Sequence, residues 1–127
     1  MANRWKKNGF TLIELLVALT IIALLLSIVV PRYFHSVSKA KEAVLKDDLT
    51  LMRDALDKYY ADNGSYPNTL NDLVNKKYLR KIPVDPITDS TDTWITIPPA
   101  TTVNGAVFDI KSGAPGNAND GTPYKNW

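Results

Sequence analysis

Three residues near the N-terminus, Gly9, Phe10 and Glu14, are the ones whose types and spacing suggest chemistry. Glu14 is the only charged residue between Phe10 and Val30, and a carboxylate within a membrane segment costs about 2.5–3.5 kcal/mol. No basic side chain lies one helical turn away to compensate it. We therefore expect Glu14 to pair with a positive charge that the side chains of the apolar run do not supply.

Cleavage of the peptide bond between Gly9 and Phe10 would supply that partner. It would create an ammonium group at Phe10, one helical turn from Glu14. A second copy of the chain could also bring its own ammonium to this carboxylate, offset along a stack of helices. An ionic group buried in this way fixes the register between packed helices. A chain terminus at Phe10 would thus pair the charge of Glu14, within one chain or between two.

The apolar run from Phe10 to Val30 is the element that must position these groups. Its 21 residues span roughly 31 Å as a helix, which matches the hydrocarbon thickness of a bilayer. The basic residues that precede it are Arg4, Lys6 and Lys7. By the positive-inside rule, the N-terminus stays in the cytoplasm and the residues after Val30 lie across the membrane, which in a two-membrane bacterium is the periplasm. We therefore expect a single-pass membrane protein, and in such a bacterium a protein of the inner membrane.

Two other interpretations of the segment stay open at this point. A secretory signal peptide has a basic start, an apolar centre and a small-residue cleavage site, to which Ser38-Lys39-Ala40 is loosely similar. A plain membrane anchor needs only the apolar run. Neither interpretation explains why a carboxylate occupies position 14.

The leader MANRWKKNG and the FTLIELLVA that follows it resemble the N-terminus of the type IV pilin and type II secretion pseudopilin superfamily. In that superfamily a prepilin peptidase cuts after the glycine on the cytoplasmic face, and the new N-terminal residue is methylated. The resemblance implies cleavage after Gly9, N-methylation of Phe10 and filament assembly through Glu14. It also implies a flexible helix joint at Pro31, although a proline there equally fits a plain end of the membrane helix.

The resemblance implies three parts: a leader at 1–9, the transmembrane half of a long helix at 10–30, and a periplasmic pilin-like head at 31–127.

Beyond the apolar run, apolar residues recur every three or four positions, which predicts an amphipathic continuation of the helix to Asp62. The residues of this stripe are Leu45, Leu49, Met52, Leu56 and Tyr59. Gly64 is suited to the left-handed cap that ends such a helix.

Shorter elements are expected to complete the head. Thr69 can cap a second helix that extends to about Lys77. Thr93–Ile97 and Ala106–Ile110 alternate as antiparallel strands do, and a third strand is expected near Ile82–Ile87. The predicted fold class is α+β, with a long N-terminal helix packed against a short helix and a small antiparallel sheet, as in pilin-like folds.

Charge and composition exclude several functions. The net charge of +2, from 15 basic and 13 acidic residues, becomes −1 without the three basic residues of the leader. We therefore expect no nucleic-acid partner. The chain has no cysteine, so it forms neither a disulfide nor a thiolate metal site. His35 is the only histidine, and no catalytic constellation or phosphate-binding glycine loop accompanies it, so we do not expect an enzyme.

The tail (Ser112–Trp127) is rich in turn-forming residues and needs something to hold it. The chain is most similar to the G-type major pseudopilins of type II secretion. The residues that carry this resemblance are Tyr59, Asn63, Tyr66-Pro67, Asp85-Pro86 and the Gly/Asp-rich ending closed by Trp127. In those proteins a calcium ion orders a loop in this region. The resemblance implies a calcium site at Ser112, Asn117, Asn119 and Asp120. Because the tail has few acids, a metal-free loop pinned by Tyr124 and Trp127 stays open as the alternative.

The resemblance implies a structural subunit of a type II secretion pseudopilus, with a shaft position favoured by Glu14. Its expected partners are identical and minor pseudopilin subunits, the prepilin peptidase, an inner-membrane assembly platform and membrane lipid. The alternative is a major or minor pilin of a type IV pilus, serving adhesion, motility or DNA uptake. Many type IV pilins close their C-terminal loop with a disulfide, which this chain cannot form, so the pseudopilin is favoured.

Overall fold

Two α-helices, two strands and a 3-10 turn are the elements of residues 9–127, the part of the chain that the computed structural model describes. In chain order they are α1 (Leu12–Asn63), α2 (Leu70–Asn75), β1 (Trp94–Ile97), β2 (Asp109–Ser112) and the 3-10 turn (Tyr124–Asn126). The chain divides between Val37 and Ser38 into an N-terminal unit and a C-terminal unit. The predicted α+β class is confirmed. Of the predicted leader at 1–9, only Gly9 lies within the described residues, and Arg4, Lys6 and Lys7 lie outside them.

The second half of α1 carries the predicted amphipathic stripe. Its buried side chains are the five named from their spacing together with Ala55, and in chain order they are Leu45, Leu49, Met52, Ala55, Leu56 and Tyr59. The helix ends at Asn63, one residue beyond the predicted Asp62. Gly64 follows with a φ of 70°, and its N–H donates to the Tyr60 carbonyl at 2.8 Å. This left-handed glycine satisfies a terminal carbonyl and stops the helix, as its sequence position predicted.

A capping box fixes the start of α2. The Thr69 hydroxyl accepts a hydrogen bond from the Asp72 N–H, and the Asp72 carboxylate accepts one from the Thr69 N–H. The predicted cap is therefore confirmed, and Leu73 is buried in the core. The helix ends at Asn75 rather than Lys77, because Lys77 has a φ of 65°, which is incompatible with a further helical turn.

The two strands pair in antiparallel fashion, with Trp94 opposite Ser112. Strand β1 is confirmed to within one residue of its predicted start. The predicted second strand at Ala106–Ile110 is wrong by three residues, since β2 is Asp109–Ser112. The N–H groups of residues 106 and 107 instead donate to the Pro67 carbonyl, at 3.1 and 3.0 Å. The strand prediction had assigned these two N–H groups to the sheet, but they bond to the loop that follows α1.

The third strand expected near Ile82–Ile87 does not form among the described residues. Asp85 makes a single isolated bridge with Ser90. The Asp85 carboxylate accepts hydrogen bonds from the N–H groups of Ile87 at 2.8 Å and Thr88 at 3.4 Å. These bonds turn the backbone, because they satisfy the N–H groups that a neighbouring strand would otherwise pair.

Within residues 9–127, the buried apolar side chains all belong to the C-terminal unit and form one cluster. The indole N–H of Trp94, which is buried in that cluster, donates to the Pro83 carbonyl at 2.8 Å. A buried Trp that finds an acceptor contributes apolar area without leaving an unpaired donor. Besides the α1 stripe, the cluster contains Leu73, Leu79, Trp94, Val107, Ile110, Ala114, Ala118 and Tyr124.

Candidate functional site

The predicted processing site precedes α1. Gly9, Phe10 and Thr11 have no regular secondary structure, and the first helical residue is Leu12. The Phe10 side chain is 86% exposed. The peptide bond between Gly9 and Phe10 therefore lies in exposed, non-helical backbone.

Glu14 takes part in a capping box at the start of α1. The Glu14 N–H donates to the Thr11 hydroxyl at 3.2 Å, and the Thr11 N–H donates to Glu14 Oε2 at 3.3 Å. Both groups satisfy N–H donors that the first turn of a helix leaves unpaired, and the carboxylate is favoured at the positive end of the helix dipole. The sequence reasoning missed this role of Thr11, although the signal, Thr-x-x-Glu before an apolar run, was present.

The capping box changes how Glu14 is interpreted. In the uncleaved chain its Oε2 atom has a local hydrogen-bond partner, so the residue is not isolated in the apolar run. Within the described residues, its Oε1 atom accepts no hydrogen bond. Glu14 can therefore cap its own helix and still offer a carboxylate oxygen to a second group.

The apolar segment (Leu12–Val30) exposes its large side chains instead of packing them. It is long and apolar enough to cross a membrane by length and composition, and none of it is buried. Its two hydroxyl groups donate to carbonyls of the same helix, Thr20 to Leu16 at 2.7 Å and Ser27 to Leu24 at 2.6 Å. Polar groups satisfied within the helix are compatible with a lipid environment. Phe10, which precedes the segment, is exposed as well. Fourteen large apolar side chains of the segment are exposed: Leu12, Ile13, Leu15, Leu16, Val17, Leu19, Ile21, Ile22, Leu24, Leu25, Leu26, Ile28, Val29 and Val30.

Pro31 lies within α1 and does not end it. The helix itself therefore continues through the proline, and an end of the membrane-spanning half at Pro31 stays a prediction. A proline inside a helix has no N–H to donate, so the carbonyl one turn earlier, that of Ser27, lacks its usual partner. The flexible joint at Pro31 stays a prediction, with this missing backbone bond as its physical basis.

The four residues predicted to bind calcium do not share one set of contacts. Ser112 is fully buried in β2, where its hydroxyl donates to Asp85 and accepts from the Ala114 N–H. Asp120 is exposed, and its Oδ1 atom accepts from the Thr122 N–H at 2.9 Å and the Thr122 hydroxyl at 2.6 Å. These two bonds, together with the charge of the more distant Lys46, lower the pKa of Asp120.

The two asparagines of that set have separate surroundings. Asn119 donates its backbone N–H to Glu42 Oε1 at 2.7 Å, and its side-chain oxygen lies 3.4 Å from the Ser38 hydroxyl. Asn117 forms a backbone bridge with Pro123. Calcium takes six to eight oxygen ligands, usually with several carboxylates. Within residues 9–127, no three His, Cys, Asp or Glu side chains are grouped closely enough to hold a metal. The residues predicted for calcium therefore do not fit a calcium site.

Two family models together match nearly all of the chain. Residues 6–30 match the prokaryotic N-terminal methylation motif, which includes Gly9, Phe10 and Glu14. Residues 32–125 match protein G of the type II secretion system. This chain belongs to the protein G family of the type II secretion system. The expected similarity to G-type major pseudopilins is thereby confirmed, and the type IV pilus alternative is not favoured.

Several relatives share the same description. Type II secretion system core protein G of Pseudomonas aeruginosa is 38% identical over 100 residues, which cover 66% of this chain and 70% of the relative. The protein of the same description from Escherichia coli K12 is 36% identical over 97 residues, covering 64% of this chain and 67% of the relative. That from Aeromonas hydrophila is 34% identical over 97 residues, covering 64% and 68%. No solved structure matches this chain significantly.

Membership of the pseudopilin family explains why the chain has an exposed apolar segment. A pseudopilin with an N-terminal apolar helix is anchored in the inner membrane, and the family consists of structural subunits of a pseudopilus. The Thr11–Glu14 cap and the exposed apolar segment together form the candidate site.

Proposed function

We propose that this chain is a structural subunit of a type II secretion pseudopilus. The observation that carries the proposal is a membrane-length apolar helix whose side chains are all exposed and whose single charge, Glu14, lies at its N-terminus. A segment with this pattern stays in lipid as a monomer. It exchanges lipid for neighbouring helices when subunits assemble.

Processing is proposed to occur between Gly9 and Phe10. A peptidase needs its substrate in an extended form, and the helix begins only at Leu12, after the Thr11 cap. The prepilin peptidase would act on the cytoplasmic face, with the N-terminus in the cytoplasm and the C-terminal unit in the periplasm. Methylation would then modify the new amino group of Phe10.

Assembly is proposed to use Glu14 as a register group. Its Oε2 atom caps the helix through Thr11, so Oε1 is the oxygen offered to the ammonium of Phe10, in the same subunit or in a neighbour. The other subunits are copies of this chain and minor pseudopilins, delivered by an inner-membrane assembly platform. Charge pairing in an apolar surrounding penalises misaligned helices strongly, because an unpaired charge there is costly.

The variant Glu14→Ala tests the assembly role. The full-length chain is produced in cells that hold the prepilin peptidase and the assembly machinery. Leader removal is measured by the mass of the mature chain, and assembly is measured by cross-linking and electron microscopy of sheared filaments. We expect normal cleavage and at least a tenfold loss of filaments, since an unpaired ammonium in lipid costs more than the about 1.4 kcal/mol that a factor of ten represents.

Thr11→Ala is the matched control, because it removes the hydroxyl of the cap and keeps the charge of Glu14. We expect it to lose fewer filaments than Glu14→Ala. Normal filaments from Glu14→Ala would overturn the register role. An uncleaved wild-type chain in the presence of the peptidase would overturn the processing site.

A further inference from the structure

The tail is attached to one face of α1. Glu42, Lys46 and Arg53 are four and seven residues apart along the helix, so they lie on the same face. All three contact the tail or the strand that leads into it. All of these contacts lie within the C-terminal unit. These three side chains are called the tail lock below.

Glu42 holds the middle of the tail through one carboxylate oxygen. Its Oε1 atom accepts from the backbone N–H of Asn119 at 2.7 Å and from the hydroxyl of Tyr124 at 3.0 Å. Tyr124 is buried in the core, so the bond joins the tail to the packed interior. Burial first, and then the bond to Glu42, raise the pKa of Tyr124, which keeps its hydroxyl protonated as a donor.

Arg53 holds the last residue and the neighbouring strand together. Its Nε atom donates to Asp109 Oδ1 at 2.9 Å, and one terminal nitrogen donates to the backbone oxygens of Ile110 at 3.0 Å and Trp127 at 2.7 Å. A guanidinium presents several donors in a fixed plane, so it can join three acceptors at once. The geometry explains how α1, β2 and Trp127 are kept together.

Lys46 supplies a positive charge over the end of the tail. Its ammonium lies 4.7 Å from the centre of the Trp127 ring, within cation–π range. The Trp127 indole N–H donates to the Thr122 hydroxyl at 2.9 Å, and that hydroxyl donates to Asp120. A continuous set of contacts thus links Lys46, through Trp127 and Thr122, to Asp120, which is the only acid in the tail.

We propose that the tail lock replaces calcium in this chain, so that the C-terminal unit keeps its fold and holds its tail without any metal ion. The acids from outside the tail that approach it, Glu42, Asp85 and Asp109, direct carboxylate oxygens at N–H and O–H donors of the protein. Lys46 already places a cation near Asp120. A divalent ion would have to displace these donors and would be repelled by Lys46. The proposal rests on these contacts and does not depend on the proposed filament role.

The wild-type chain provides the first arm of the test. Full-length protein in detergent is melted in the chelator EGTA and in millimolar calcium chloride. We expect the two melting temperatures to agree. If the chain had a specific calcium site, calcium at one hundred times the Kd of that site would raise the melting temperature by roughly 10 °C in a domain of this size. That result would overturn the proposal.

Release of the tail provides the second arm. Endoproteinase Lys-C cuts after Lys125, which is exposed, and loss of residues 126–127 is read from the intact mass. We expect Glu42→Ala to raise the cutting rate about tenfold, because two hydrogen bonds to a charged acceptor are lost. Calcium should leave the rate of the wild-type chain unchanged. A calcium-dependent wild-type rate, or an unchanged rate in Glu42→Ala, would contradict the lock.

Two further variants separate the lock from a general loss of stability. Glu42→Gln keeps an oxygen acceptor at the same position, so it should be cut more slowly than Glu42→Ala. Asp54→Ala removes an exposed carboxylate from the same helix and should be cut at the wild-type rate. If Asp54→Ala were cut as fast as Glu42→Ala, the effect would belong to the helix as a whole and the proposal would fail.

Discussion

The two halves of α1 share one helical backbone and differ in where their partners are. The apolar segment Leu12–Val30 exposes its large side chains, whereas the half beyond Ser38 buries a continuous stripe against its own unit. Hydrophobic burial is the main favourable term in folding, so a helix that exposes this much apolar surface has its stabilising surroundings outside the chain. The difference shows that the second half is packed within the fold of the single chain, whereas the first half is not.

The largest effect expected from this comparison concerns two leucines of α1. Leu56 is fully buried, whereas Leu19 is 54% exposed. Leu56→Ala should lower the free energy of unfolding of the C-terminal unit by about 3–5 kcal/mol, through lost burial and the cavity left behind. Leu19→Ala should change it by less than about 0.5 kcal/mol. Chemical denaturation of the full-length chain in detergent measures both, and equal losses would contradict the division.

Two acids extend the comparison to polar groups. Asp85 is fully buried and accepts hydrogen bonds from the N–H groups of Ile87 and Thr88 and from the Ser112 hydroxyl. Asp85→Ala would leave these donors without an acceptor and should cost about 3 kcal/mol of unfolding free energy. Glu14→Ala should leave that free energy unchanged while it impairs assembly. Denaturation of both variants is the measurement, and a stable Asp85→Ala chain would show that the loop does not depend on this carboxylate.

Two capping boxes, one in each region, allow a smaller and closely matched test. Thr69 caps α2 within the packed unit, and Thr11 caps the start of the exposed segment. Thr69→Ala should lower the melting temperature of the C-terminal unit, at a cost of about 1 kcal/mol. Thr11→Ala should leave that temperature unchanged, since no part of the core depends on it. A shift of similar size in both variants would mean that the two regions unfold together.

The smallest effect is a pH dependence at Asp48, which lines a groove with Tyr78 and Arg80. Burial, and then the charges of Asp85 and Asp47, raise the pKa of Asp48 above 3.8. The folded chain therefore disfavours the ionised form, and stability falls as the pH rises from 3.8 through the folded-state pKa.

Asp48→Asn should stabilise the C-terminal unit at neutral pH by at most about 0.5 kcal/mol. It should have no effect well below pH 3.8, where the acid is protonated in both states. Melting temperatures at the two pH values measure the difference, with Asp54→Asn as the exposed control. A stabilisation that persists at low pH would show that the charge of Asp48 is not its cause.

Local patterns in the sequence predicted the elements that depend on local chemistry. The α1 stripe, the Gly64 stop and the Thr69 cap were confirmed because each depends on residues within a turn or two of one another. The register of β2 was wrong, because the N–H groups of Ala106 and Val107 bond to Pro67, which is distant in the chain. The strand expected near residue 85 failed because a side chain, that of Asp85, took the backbone donors.

The candidate site divides in the same way. Gly9, Phe10 and Glu14 were identified through the resemblance of this N-terminus to a known motif, and Thr11 could have been found from the Thr-x-x-Glu pattern. The tail lock could not have been found in this way. Glu42 and Asn119 are 77 residues apart, and only the packing of the tail on α1 brings them within 2.7 Å.

The sequence by itself determined that this protein has a membrane-length apolar helix, a single acid at its start and an amphipathic continuation. These properties follow from composition and helical period, which need no knowledge of distant contacts. Only the tertiary structure decided how the tail is held and which acids are already satisfied. Long-range hydrogen bonds by Glu42 and Arg53 depend on how the whole chain folds, so no local pattern in the sequence could reveal them.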